Sequence, residues 1–144
     1  MKYRKLSHER FLVIALKKGD DLTESIQAIC EKEKIHGGSV ISGIGALAHC
    51  RLGYFDLEKR EYQTVSINEP VELVSTSGTI TFTNGTLFPH IHLIVSNSKG
   101  ECAGGHALSE CIVSVTAELV IVEFDKTLLR SLDPESELLL LDLS

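Results

Sequence analysis

Runs of β-branched and aliphatic residues, separated by short polar turns, constrain the fold more than any other feature of this sequence. The longest runs cover residues 71–82 and 112–124, and both are rich in the Ile and Val that favour strands. Shorter runs of the same kind predict strands at 11–16, 39–44, 49–56, 62–67, 90–96 and 138–143. We therefore expect seven or more strands, with a break in the 71–82 run near Ser77-Gly78 and a turn at Asp133-Pro134 before the last strand.

One segment has helical periodicity instead, and it predicts a helix at about residues 21–35. Asp21 precedes the apolar pattern and can cap the helix N-terminus, with Glu24 three residues later as in a capping box. Gly37-Gly38 is expected to end the helix. The apolar positions fall on one helical face: Leu22, Ile26, Ile29 and Cys30. One helix among many strands predicts an α+β domain with a mostly antiparallel sheet.

The size and composition fit one soluble domain. The chain has 144 residues and 15.8 kDa, and 43% of the residues are hydrophobic. No apolar run approaches the roughly 20 residues of a membrane span, and residues 1–7 lack the apolar core of a secretory signal. The four cysteines contain no Cys-x-x-Cys pair. We therefore expect a reduced, cytoplasmic protein.

The charge balance weakens the case for nucleic acid as a partner. The formal net charge is −6, and the basic residues are concentrated near the N-terminus, where they include Lys2, Arg4, Lys5, Arg10, Lys17 and Lys18. Proteins that bind phosphate backbones normally cluster Lys and Arg, because neutralising phosphates releases counterions. DNA binding is therefore possible through this segment but is poorly supported by the charge.

The residues with the clearest chemical potential are His90, His92 and His106. On a strand, His90 and His92 point to the same face, while Ile91, Leu93 and Val95 point to the other. His106 follows Gly104-Gly105, beyond the polar turn at 96–100. If residues 90–96 and 101–107 pair as a hairpin, His106 returns to the first two histidines.

Three neutral imidazoles that leave a fourth ligand position open are typical of catalytic zinc sites. The alternative is that these imidazoles bond backbone groups or face solvent. Cys102 could add a soft ligand, although a small buried hydrophobe is its simpler role. Candidate general bases beside a metal are Glu101, Glu110 and Glu118, and the alternative for each is a solvated charge.

Two further features have simpler structural explanations than functional ones. Residues 43–48 match the letters G-x-G-x-x-A after a strand, but the segment that follows is predicted as strand instead of helix. The glycines are therefore expected to permit a tight bend or a close backbone approach, instead of cradling a phosphate. His36 is expected to contact the carbonyl groups at the helix C-terminus.

Five stretches together resemble the plants-and-prokaryotes-conserved (PPC) domain. They lie at residues 11–22, 40–47, 72–80, 90–93 and 104–108, and include the segments SGIGAL, HIHL and GGHAL. The resemblance implies a single PPC domain over residues 1–144, with its core at about 10–125, which assembles as a homotrimer. It also implies that His90, His92 and His106 are the histidines that standalone prokaryotic members carry.

The resemblance leaves two functions open. The fold is similar to that of acetolactate decarboxylase, in which an HxH motif and a third histidine hold zinc, and this supports a divalent metal, zinc first. Prokaryotic members are commonly labelled predicted DNA-binding proteins, yet this sequence has no Arg-Gly-Arg core of an AT-hook. Because fold does not fix function, no reaction is transferred from these relatives.

We accordingly expect a standalone PPC-domain protein that is homotrimeric and binds a divalent metal through its three histidines. The first alternative is a zinc-dependent lyase or hydrolase that acts on a small carbonyl or carboxylate substrate. The others are a DNA-associated regulatory protein, and an interaction module in which the metal is structural.

Overall fold

The computed structural model describes residues 7–144 and confirms an α+β fold that is mostly antiparallel sheet. This part of the chain contains one α-helix, α1 (Leu22–Lys32). Its strands are β1 (His8–Lys17), β2 (Gly38–Asp56), β3 (Glu61–Ile67), β4 (Val71–Thr83), β5 (Thr86–Ser96), β6 (Cys102–Ala107), β7 (Ile112–Phe124), β8 (Leu129–Leu132) and β9 (Leu139–Asp142). No helix in residues 7–144 is long and apolar enough to cross a membrane.

The long strand β2 connects most of the sheet. The strand order is β1-β7-β2-β6-β5-β4-β8-β9, and β3 pairs with β2 outside this path. β2 also pairs with β4, so β2, β6, β5 and β4 form a closed circuit of pairings. Every strand pair is antiparallel except β4 with β8. The core therefore forms inside a strongly curved sheet.

The helix closes one side of this core. Its apolar face buries Leu22, Ile26 and Cys30, and it packs on β5 and β7. On β5 the buried residues Ile91, Leu93 and Val95 alternate with residues on the outer face. This confirms the predicted alternation, and it directs the histidines of β5 away from the hydrophobic core.

The cap of the helix is as predicted, but its end is not. The Asp21 carboxylate accepts the backbone N–H groups of Thr23 and Glu24, at 2.8 and 3.1 Å. The helix ends at Lys32, before Gly37-Gly38, because Lys34 adopts a left-handed conformation with φ of 58°. The N–H of Ile35 then donates to the carbonyl of Cys30 at 2.9 Å, which completes a Schellman motif.

Three other local predictions are corrected. His36 packs on the ring of Phe82, with centroids 4.8 Å apart, instead of bonding helix carbonyls. β4 runs without a break through Gly78, where a Cβ atom would lie 2.2 Å from the carbonyl oxygen of His90. The segments 39–44 and 49–56 belong to one strand, β2, and β8 was not predicted from the sequence.

The G-x-G-x-x-A segment lies within β2 and forms no loop or helix start. Gly45 has a φ of +150°, and a Cβ atom there would lie 2.2 Å from the carbonyl oxygen of Thr116 on β7. The glycine therefore permits close approach of a neighbouring backbone, as the sequence predicted.

Replacing Asp21 with alanine is expected to lower the free energy of unfolding by about 1–2 kcal/mol, because the helix loses its N-cap. The side chain also accepts the N–H of Glu110 at 2.6 Å, so it ties the helix to the segment before β7. Urea unfolding at pH 7 would measure the loss. Glu24→Ala, in the exposed first turn, is the matched control, and an equal loss in both variants would contradict the capping role.

Candidate metal centre

A tight turn between β5 and β6 sets the geometry of the site. The side-chain oxygen Oδ1 of Asn97 accepts the backbone N–H groups of Lys99 and Glu101, at 2.9 and 3.0 Å. Gly100 supplies the positive φ of 79° that the turn requires. These contacts fix the register that starts with Ser96 opposite Cys102.

This register brings the three histidines together. His92 lies directly opposite His106, and His90 lies two residues away on the same face of β5. The ring centroids are 5.0 to 5.5 Å apart. One ligand nitrogen from each ring lies within 4.8 Å of the others, and this is the one such potential metal-binding group within residues 7–144. The predicted hairpin is therefore confirmed.

The distances between the rings fit a metal ion. The Nε2 atoms of His90 and His92 are 3.2 Å apart, within hydrogen-bond distance of each other. Nitrogen ligands at about 2.0–2.1 Å from a tetrahedral zinc ion stand roughly 3.3 Å apart, so this pair already has the spacing of two zinc ligands. His106 offers a second indication, because its buried Nδ1 atom has no hydrogen-bond partner among the described residues. The donor set and its geometry thus fit a divalent cation.

The surroundings of His90 and His106 favour the neutral imidazole, which is the form that binds metals. Burial lowers the pKa of His90 to about 4, with further lowering from the positive charge of Arg130 and from the other two histidines. Burial also lowers the pKa of His106, followed by the effects of His92 and Arg130. At neutral pH these two rings therefore need not lose a proton from an imidazolium before a cation binds.

Arg130, on β8, is a residue of the candidate site that the sequence did not predict. Its Nη2 atom donates to Nδ1 of His90 at 3.0 Å and to Oγ1 of Thr79 at 3.2 Å. Its Nε atom donates to Oγ1 of Thr81 at 3.0 Å, and Nη1 donates to the carbonyl of Leu139 at 2.6 Å. No sequence signal marked this residue, because it lies 40 positions from His90 on a strand that was not predicted.

Arg130 and two of the histidines line a cleft of about 350 Å³. The ring of Tyr62 forms another wall, 5.7 Å from the ring of His106. The guanidinium lies over the ring of Phe88, 5.3 Å from its centroid. The remaining lining residues are Leu108, Glu137, Leu138, Leu139 and Leu140. The histidine cluster is therefore open to a small ligand from this side.

The carboxylates that the sequence offered as general bases lie elsewhere. Glu101 accepts from the side-chain amide of Asn97, and Glu110 pairs with Arg51 at 3.1 Å. Glu118 is exposed on β7 and lines a different surface pocket, with Ile44 and others. These three glutamates are therefore better described as solvated surface charges than as general bases beside the histidines.

Cys102 is exposed, which corrects the expectation that it is buried. It lies at the start of β6, at the turn end of the hairpin and four positions from His106, and its thiol faces the carbonyl of Gly100 at 3.8 Å. The thiol is not part of the ligand cluster among the described residues.

The fold and the site define a class: a small α+β domain whose curved antiparallel sheet carries a three-histidine cluster on one hairpin. Residues 3–125 match the Plants and Prokaryotes Conserved (PCC) domain, also abbreviated PPC. The chain belongs to this family, which confirms the resemblance read from its motifs.

Solved structures of similar proteins support the fold over nearly the whole chain. A metal-containing protein from Archaeoglobus fulgidus is 30% identical with a TM-score of 0.88, covering 98% of this chain and 99% of that one. A plant- and prokaryote-conserved protein from Pyrococcus horikoshii is 28% identical with a TM-score of 0.88, covering 100% and 99%. A candidate DNA-binding protein from Ralstonia eutropha is 25% identical with a TM-score of 0.83, covering 92% and 90%.

A longer protein also contains a similar segment. The bifunctional protein GlmU of Synechococcus sp. (strain JA-3-3Ab) is 26% identical over 114 residues, which are 79% of this chain. The chain spans 17% of the length of that relative.

Proposed function

We propose that the protein binds one divalent metal ion per chain through His90, His92 and His106. The observation that carries the proposal is the convergence of three imidazoles, two of whose Nε2 atoms stand 3.2 Å apart. The lowered pKa values of His90 and His106 and the unpartnered Nδ1 of His106 add support. The Archaeoglobus protein, similar over almost its whole length, is described as metal-containing.

Zinc is the metal that we propose. Three imidazoles suit zinc, although nickel, copper and iron also accept such ligands, so geometry and availability favour zinc. A zinc ion with an open fourth position polarises a bound carbonyl group and lowers the pKa of bound water towards about 7. The cleft is lined by His90 and His106, so a small molecule in it would lie beside a metal held by these residues.

We also propose that the chain assembles as a homotrimer, as its family resemblance implies. The outer face of the sheet exposes large apolar side chains across five strands: Val13, Ile44, Val74, Ile94 and Val115. Val13 is 83% exposed and Val115 is 72% exposed. Exposed apolar surface of this kind marks interaction sites, and copies of the same chain are the partner that we assign to it.

DNA binding is a second candidate function, favoured by the similarity to the Ralstonia protein. The charge opposes it, because each copy in a trimer carries −6. Arg10, one of the basic residues near the N-terminus, is already engaged by the carboxylates of Glu33 and Glu123, at 2.9 and 2.5 Å. DNA therefore ranks below metal binding.

Elemental analysis of protein purified without chelator is expected to find about one zinc per chain. His90→Ala and His106→Ala should each lower this to less than a tenth, because each variant removes one of three ligands. His8→Ala, which removes an exposed histidine of β1 outside the cluster, should leave the zinc content unchanged. Retained zinc in both cluster variants would contradict the proposed site, provided that circular dichroism shows all variants folded.

The trimer is tested by light scattering coupled to size exclusion. The expected mass is three times the 15.8 kDa of the chain. Val13→Glu should dissociate the assembly, because the carboxylate would be buried against another copy. Leu57→Glu places the same charge at an exposed turn residue and should not dissociate it. A monomeric wild type, or a trimeric Val13→Glu variant, would contradict this interface.

DNA binding predicts affinity for a labelled duplex that falls steeply with salt. Fluorescence anisotropy at 20 and 150 mM NaCl, with and without zinc, would measure it. The charge leads us to expect no binding at 150 mM. Tight binding at 150 mM NaCl would show that the negative net charge does not prevent DNA binding. DNA binding would then become the favoured function.

A further inference from the structure

The positive charge of Arg130 is not balanced within the described chain. The residue is half-buried, and burial lowers the pKa of its guanidinium. It forms no ion pair with a carboxylate in residues 7–144, whereas Arg10, Arg51 and Arg60 each form at least one. A half-buried charge without a counter-charge is costly, and such charges in proteins are normally paired.

The guanidinium is nevertheless held firmly in place. Four of its contacts go to neutral acceptors on Thr79, Thr81, His90 and Leu139. A guanidinium has five N–H groups, so these contacts leave one N–H, on Nη1, for another acceptor. The side chain is therefore oriented by its neighbours before any ligand arrives, and less freedom is lost on binding.

The rest of the cleft sets the size and polarity of a ligand. Phe88, Leu108 and the segment 138–140 form apolar walls. The acidic residue in the lining, Glu137, is engaged by Arg60 at 2.6 Å on the exposed rim. A volume of about 350 Å³ lies at the small end of ligand sites. These features suit a short apolar molecule with one negative group.

Metal binding at the histidines would add positive charge to the cleft and so strengthen its attraction for an anion. Because a guanidinium only donates, Nδ1 of His90 is the acceptor in its contact with Arg130, and the ring proton is on Nε2. If Nε2 were a metal ligand, the proton of the neutral ring would have to be on Nδ1 instead. Arg130 would lose an acceptor, and the cleft would gain two positive charges.

We propose that this cleft binds a small organic carboxylate, with Arg130 as the residue that anchors its negative charge. The carboxylate supplies the missing counter-charge and accepts the free N–H of Arg130, and its short apolar chain packs on the leucines. The expectation that metal tightens carboxylate binding rests on the proposed function. The contact between the carboxylate and Arg130 is independent of it, because Arg130 is available in the metal-free protein.

The test uses 4,4,4-trifluorobutyrate as a probe and follows its fluorine NMR signal during titration with the full chain. The expected result is saturable binding, with at least tenfold weaker affinity in Arg130→Gln, or about 1.4 kcal/mol. Arg10→Gln removes an exposed guanidinium outside the cleft and should bind the probe like the wild type. Equal affinity in Arg130→Gln and wild type would overturn the proposal.

Measurements on the wild type keep the test decisive if Arg130→Gln does not fold. The neutral analogue 4,4,4-trifluorobutanol should bind at least tenfold more weakly than the carboxylate. The arginine Nε–H signal of Arg130, assigned by nitrogen-15 NMR, should shift during the titration. Equal binding of the alcohol, an unshifted Arg130 signal, or tighter binding of inorganic phosphate would each overturn the assignment to a carboxylate.

Titrations with and without zinc separate this inference from the proposed function. If the protein takes up zinc, the probe should bind at least tenfold more tightly to the loaded form. Zinc uptake without probe binding in either form would overturn the carboxylate site and leave the metal site standing. Failure to take up zinc would overturn the metal site, while Arg130-dependent binding to the metal-free protein would uphold the carboxylate site.

Discussion

The pairing of β2 with strands on both of its edges is the constraint on which the rest of the structure depends. Over 19 residues it pairs with β7 along one edge, and with β4, β6 and β3 along other stretches of its length. Gly45 makes one of these pairings possible, because any side chain there would meet the backbone of β7. The closed circuit of strands that results pairs the β5–β6 hairpin with β4 on one side and β2 on the other, and this positions the histidines. A metal site needs such support, because its ligands must be positioned before the ion arrives.

Local patterns predicted the parts of the site that depend on a short stretch of chain. Alternation along β5 placed His90 and His92 on one face. The short turn from Asn97 to Gly100 then sets the register in which His106 lies opposite His92. The structure differs from the prediction where a residue adopts a backbone conformation that is unusual for its type. Lys34 ended the helix in a conformation that glycine normally adopts. The gap predicted between strands 39–44 and 49–56 does not exist in β2, because the pairing of this segment with β7 depends on a strand distant in sequence.

Arg130 shows the limit of such reasoning most clearly. A four-residue strand such as β8 has too little sequence for a period to be detected, and its pairing with β4 is long-range. Nothing near Arg130 in sequence indicates that its guanidinium will reach Thr79, Thr81 and His90. The position of this positive charge beside His90 thus follows from tertiary structure and not from a local sequence pattern. Burial and, to a smaller extent, the charge of Arg130 lower the pKa values of His90 and His106, and the same charge would attract the proposed carboxylate.

The hairpin of β8 and β9 lies beyond residue 125, where the match to the family ends. It contributes Arg130 and the leucine wall of the cleft, whereas the histidines belong to the matched region. β8 joins the sheet at one paired position, between Phe82 and Leu129. The proposed metal ligands and the proposed carboxylate anchor therefore lie on separate pieces of chain. Exchange of residues 129–142 between relatives would therefore change the proposed anion site while the three histidines stay in place.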